Sequence, residues 1–80
     1  MRLPRDINAD KLIKLLAQYG YVVTRQVGSH IRMTGKDGSH SITVPYHNPI
    51  KIGTLQAIIK DICIANDIDV TLFINKLSKL

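Results

Sequence analysis

Three strand-like segments follow one another with almost no chain between them, and this spacing constrains the fold more than any other feature. Tyr21 to Val27 is rich in aromatic and β-branched residues, and Ile31-Arg32-Met33-Thr34 continues the pattern. Ser41-Ile42-Thr43-Val44 alternates polar with apolar. Gly28-Ser29 is a two-residue hairpin signal between the first two segments, and Gly35-Lys36-Asp37-Gly38 marks a second turn. Parallel neighbours would need a crossover of about a dozen residues or more, so these strands must form an antiparallel meander. Pro45, with no N–H to give, is expected to stop the ladder.

Helical periodicity flanks the meander. From Asn8 to Tyr19, Leu12, Leu16 and Tyr19 form an apolar stripe widened by Ile13 and Leu15. Asn8 suits the N-cap, and Gly20 suits the left-handed residue that closes a helix. A second helix is expected to begin near Ile52–Thr54, with Leu55, Ile58, Ile59 and Ile62 on its buried face; at its opening, capping by Thr54 is preferred to a phosphate held by the free N–H groups of Lys51-Ile52-Gly53-Thr54. Cys63 beside that stripe reads as a small core residue. A third helix is expected to start at Asp69 as its cap and to bury Val70, Phe73, Ile74 and Leu77. The order α-β-β-β-α-α predicts an α+β fold: a three-stranded antiparallel sheet with helices on one face, in one domain over residues 1–80.

Composition narrows the function classes. Hydrophobic residues are 45% and charged residues 21%, which excludes a disordered chain. No apolar run approaches the roughly 18 residues of a membrane span. One cysteine cannot form an internal disulfide, and Met1 to Asp6 shows no apolar signal region, so a cytoplasmic location is expected. Eleven basic against six acidic residues give a formal charge of +5. Residues 1–36 carry seven of the basic and two of the acidic groups, and residues 37–80 balance at four of each. A basic half points to a polyanionic partner, nucleic acid first.

The first hairpin concentrates candidate chemistry. Under a Gly28-Ser29 turn, Val27 opposes His30 and Arg25 opposes Arg32, about 5 Å apart. Alternation puts Arg25, Val27, His30 and Arg32 on one face and turns Ile31 and Met33 to the other. Two opposed arginines repel, an arrangement that makes sense beside an anion, and their planar donors match phosphate oxygens. An imidazole among them can move a proton near neutrality. On RNA, His30 could take the 2′-hydroxyl proton for attack on the adjacent phosphorus while Arg25 or Arg32 steadies the phosphate charge. Lys36 and Lys51 are further candidate RNA-binding cations. The protonator of the leaving oxygen stays open between water and a tyrosine.

A second Gly-Ser-His, at 38–40, sets His40 on the apolar face with Ile42 and Val44, so His30 is the candidate reactive histidine. His30, His40 and His47 do not have zinc-finger or helical metal-ligand spacing, and no metal or other cofactor is called for. Tyr19, Tyr21 and Tyr46 are too few and too poorly spaced for a base-stacking platform. A non-catalytic RNA-binding module using the same basic face is the alternative reading.

Three ordered blocks carry a family resemblance: Arg25-Gln26-Val27-Gly28-Ser29-His30-Ile31-Arg32, Ile42-Thr43-Val44-Pro45-Tyr46-His47, and Lys51-Ile52-Gly53-Thr54-Leu55 with Ile58. With Leu3-Pro4 and Gly20-Tyr21, the chain resembles the HicA-type (YcfA-like) mRNA interferase toxins over roughly residues 3 to 62. The resemblance implies a double-stranded-RNA-binding-domain-like fold and mRNA cleavage without metal or ribosome. It implies His30 as the catalytic histidine, with Gly28 and Ser29 as its flanking motif. It also implies a HicB-type antitoxin that covers this histidine, in bacterial or archaeal cytoplasm. Cys63 to Asp69 departs from the family pattern, which more often breaks at Gly-Leu before the last helix.

Overall fold

The computed structural model describes residues 3–35 and 37–80; Lys36, one of the candidate cations, lies outside the described residues. The elements run α1 (Ala9–Gln18), β1 (Val22–Val27), β2 (His30–Thr34), β3 (Ser41–Pro45), α2 (Ile52–Asn66) and α3 (Val70–Ser78). The sheet order β1-β2-β3 is the expected antiparallel meander, with the helices over one face.

Local chemistry sets the boundaries. The Asn8 side chain accepts from the Lys11 N–H and caps α1. At the other end Gly20, at φ +90°, lets Tyr21 N–H bond Leu16 O and Gly20 N–H bond Ala17 O, the paired bonds of a Schellman closure. Asp69 caps α3 through Leu72 N–H, as expected. The N-cap of α2 is Lys51, with no side-chain hydrogen bond. Thr54 therefore does not cap α2; it lies one turn too far in, and the helix opens with its first N–H groups uncapped by any side chain.

Alternation along β2 and β3 turns Ile31, Met33, Ile42 and Val44 toward the helices. There they meet Leu12, Leu15 and Leu16 of α1, Leu55, Ile58, Ile59, Ile62 and Cys63 of α2, and Phe73 and Leu77 of α3 in one buried cluster. Val70 and Ile74 are only partly buried against it. Tyr19 stacks on Phe73 at 5.6 Å between centroids, and Lys76 Nζ lies 5.1 Å from the Tyr19 centroid, which fastens α3 to the end of α1.

Two details differ from the sequence reading. Pro45 closes β3 opposite His30 instead of standing beyond it. A proline is tolerated at the end of an edge strand, and the next N–H, that of Tyr46, donates to Ser29 O at 2.6 Å. A bulge at Thr24 also shifts the β1 register, so that Val23 faces Met33 while Arg25 still faces Arg32. All six residues of β1 are exposed.

Candidate active site

The hairpin register is the one the turn dictates: Val27 opposes His30 and Arg25 opposes Arg32. Gly28 has φ +58°, while Ser29 is not among the residues at positive φ, the pattern of a type II′ turn with glycine first. His30 and Arg32 are exposed, and Ile31 and Met33 between them are buried. The open face of the sheet thus carries basic and polar groups, with the exposed Val22 and Val27 of β1 among them. Arg32 Nη1 donates to Thr43 Oγ1 at 3.1 Å, and the hydroxyls of Thr24, Thr34 and Ser41 form a chain at 3.1 and 3.0 Å.

His30 opens onto a cavity of about 400 Å³ between the start of β2, the end of β3 and the start of α2. Lys51 and Thr54 line it from α2, and His47 lines it from the loop after β3. Gly28 and Ser29 stay in the turn that launches β2, while Arg25 and Arg32 stand on the open face beside it. The structure therefore brings His30 and Lys51 to one cavity and sets the two arginines along the adjoining sheet. The sequence pattern gives His47 no role beyond its place in a motif block; the strand register sets it two residues beyond His30's cross-strand partner Pro45. The Pro45-Tyr46-His47 run was visible, but its approach to β2 depends on strand register.

The loop carrying His47 is pinned to α1. Tyr46 Oη donates to the Asp10 carboxylate at 3.0 and 3.1 Å, Asn48 Oδ1 accepts from Ala9 N–H at 3.3 Å, and Ile50 N–H bonds Ile7 O at 2.9 Å. The hydrogen bond to Asp10, and then its negative charge, push the Tyr46 hydroxyl above its ordinary value of 10.0.

The other histidine of a Gly-Ser-His triplet has a different setting. His40 Nδ1 meets Tyr21 Oη at 2.6 Å, and His40 Nε2 meets Asp61 Oδ1 at 3.1 Å. Asn66 Nδ2 donates to the same Tyr21 hydroxyl at 2.8 Å. A cavity of about 490 Å³ adjoins this cluster, larger than the one at His30. Tyr21, His40 and Asn66 of its lining are bonded together and, through Asp61, tie the β2–β3 turn to α2, while Tyr19 Oη in the same lining is buried with no hydrogen-bond partner among the described residues. By contrast, among the described residues neither the His30 nor the His47 ring is held by a hydrogen bond or ion pair. Also among the described residues, no three His, Cys, Asp or Glu side chains converge as a metal site, and no helix is long and apolar enough to cross a membrane. Burial, and then the charge of Asp69, push the Cys63 thiol up, which keeps it protonated at neutral pH.

A family model described as the HicA toxin of bacterial toxin-antitoxin matches residues 9–64, from the start of α1 to near the end of α2. Searches of curated proteins and of solved structures gave no match. The matched span contains the His30 hairpin, the His47 loop and the opening of α2.

Proposed function

The chain belongs to the HicA toxin family of toxin–antitoxin systems, and from that premise we propose that it is an mRNA endoribonuclease with His30 as catalytic acid/base. The reading calls on neither a metal nor the ribosome, and places the activity in the cytoplasm, where cleavage of mRNA arrests translation. Neutral His30 takes the proton of a ribose 2′-hydroxyl, O2′ attacks the adjacent phosphorus, and the P–O5′ bond breaks. As the leaving oxygen takes a proton, the products are a 2′,3′-cyclic phosphate and a 5′-hydroxyl end.

The observation that carries this reading is the setting of His30. It is an exposed imidazole beside Arg32, opening onto a cavity that Lys51 also lines. Arg25, Arg32 and Lys51 supply positive charge to phosphate oxygens, with guanidinium forks suited to two-point contact. Gly28 and Ser29 hold the turn that keeps His30 on the open face. Phosphate and shape contacts dominate, since Tyr21 is buried and Tyr46 is engaged by Asp10.

A HicB-type antitoxin would silence the enzyme by covering His30. Carboxylates on such a partner would find their complement in Arg25 and Arg32, whose mutual repulsion they relieve. The direct test is incubation of purified protein with bulk RNA in excess chelator. New 2′,3′-cyclic phosphate ends are expected; RNA binding without new ends would leave a non-catalytic RNA-binding module instead.

A further inference from the structure

We propose that His47 is the general acid of the cleavage step, protonating the leaving 5′-oxygen while His30 removes the 2′-hydroxyl proton; the inference rests on the endoribonuclease reading above. In-line displacement sets the entering and leaving oxygens on opposite sides of phosphorus. One imidazole beside the 2′-oxygen cannot reach the 5′-oxygen in the same step, so a second proton-transfer group is needed. Lysine and arginine are poor acids near neutrality, whereas imidazole titrates at about 6.5 when unperturbed.

The fold brings a second imidazole to the cavity that His30 lines. His30 and His47 line the same cavity of about 400 Å³, within the range of roughly 300–1,000 Å³ usual for small-ligand sites. Their approach is built into the backbone. Pro45 pairs with His30, Tyr46 N–H bonds Ser29 O at 2.6 Å, and His47 N–H turns back to Pro45 O at 2.9 Å. Beyond His47, Asn48 is bonded to the first residue of α1 and the buried Ile50 to Ile7 just before that helix. An exposed ring is therefore carried on a loop held from both sides, as a positioned acid requires.

The alternatives fit less well. Tyr46, next to His47 in the chain, donates a hydrogen bond to Asp10, and that contact makes it a weaker acid. His40 is engaged at both ring nitrogens and lies at the opposite end of the β2–β3 pair. The proton balance closes with two histidines. His30 gains the 2′-proton, His47 loses one to O5′, the O2′–P bond forms and the P–O5′ bond breaks.

A leaving group that needs no proton separates the two roles. RNA carrying sulfur in place of the bridging 5′-oxygen at one cleavable linkage expels a thiolate. On ordinary RNA, His47→Ala and His47→Gln should each lose about 10²–10⁴-fold in cleavage rate while retaining RNA binding and the wild-type melting profile. On the sulfur substrate both should return to within about tenfold of wild type, whereas His30→Ala should fail on both substrates. If sulfur does not rescue the His47 variants, or if they cleave ordinary RNA at the wild-type rate while His30→Ala does not, the assignment is overturned. If the wild-type protein cleaves neither substrate, the endoribonuclease reading itself fails.

Discussion

Arg25 stands directly opposite Arg32 across the β1–β2 ladder, and Arg32 reaches on to Thr43 Oγ1 at 3.1 Å. Two like charges so placed cost stability in the free protein and gain a purpose when an anion lies over them. Arg25→Gln should therefore raise thermal stability, by roughly 0.2–1 kcal/mol, while weakening RNA binding. The slope of log affinity against log salt should fall by about 1 if Arg25 contacts one phosphate. Thermal melts and binding titrations at several salt concentrations check both parts.

Gly28 is the hinge on which the His30 register turns. A Cβ there would meet nothing within 4 Å, so space does not forbid alanine; the φ of +58° does. Gly28→Ala should cost about 1–2 kcal/mol, the penalty for an L-residue in that region, and should lower cleavage further by disturbing His30. Denaturant unfolding gives the first effect, and cleavage assays well below the melting temperature give the second.

Much of this is legible in the sequence. Asn8, Gly20 and Asp69 announce helix ends by their own chemistry, and the Gly28-Ser29 turn specifies which face His30 occupies. The remainder depends on distant chain. His40 finds Tyr21 and Asp61 at separations of 19 and 21 residues, which no local pattern encodes. The Thr24 bulge has no glycine to mark it, and the place of His47 follows from the β2–β3 register and the bonds that tie its loop to α1.

The departure from the family pattern between Cys63 and Asp69 has a local solution. Asp67 adopts φ +53° after α2, and Ile68 N–H closes on Cys63 O at 2.9 Å, the position glycine commonly fills. Asp67→Gly should stabilise the protein by about 0.5–1 kcal/mol, because the relief of left-handed strain exceeds the extra freedom glycine gives the unfolded chain. For a domain of this size that is a rise of roughly 2–8 °C in Tm, readable by calorimetry.

The Tyr46–Asp10 contact makes a pH prediction. A hydroxyl whose folded pKa is raised contributes stability fully present below its unfolded value of 10.0 and lost as pH rises through the higher folded value. Spectrophotometric titration should find one tyrosine ionising late in the wild type. Asp10→Asn should bring it back toward the ordinary value, and an unchanged titration would remove Asp10 as the cause.

The central claim is that His30, and not the hydrogen-bonded His40, performs the chemistry. Side-by-side cleavage of bulk RNA by His30→Ala and His40→Ala, each with a melting curve, tests it most directly. His30→Ala should melt like the wild type and lose cleavage by about 10²–10⁴-fold. His40→Ala should melt lower, by about 1–3 kcal/mol for the Tyr21 hydroxyl left without its imidazole partner, yet still cleave RNA below its melting temperature. A folded His30→Ala that cleaves at the wild-type rate, or a folded His40→Ala that does not cleave, would contradict the account.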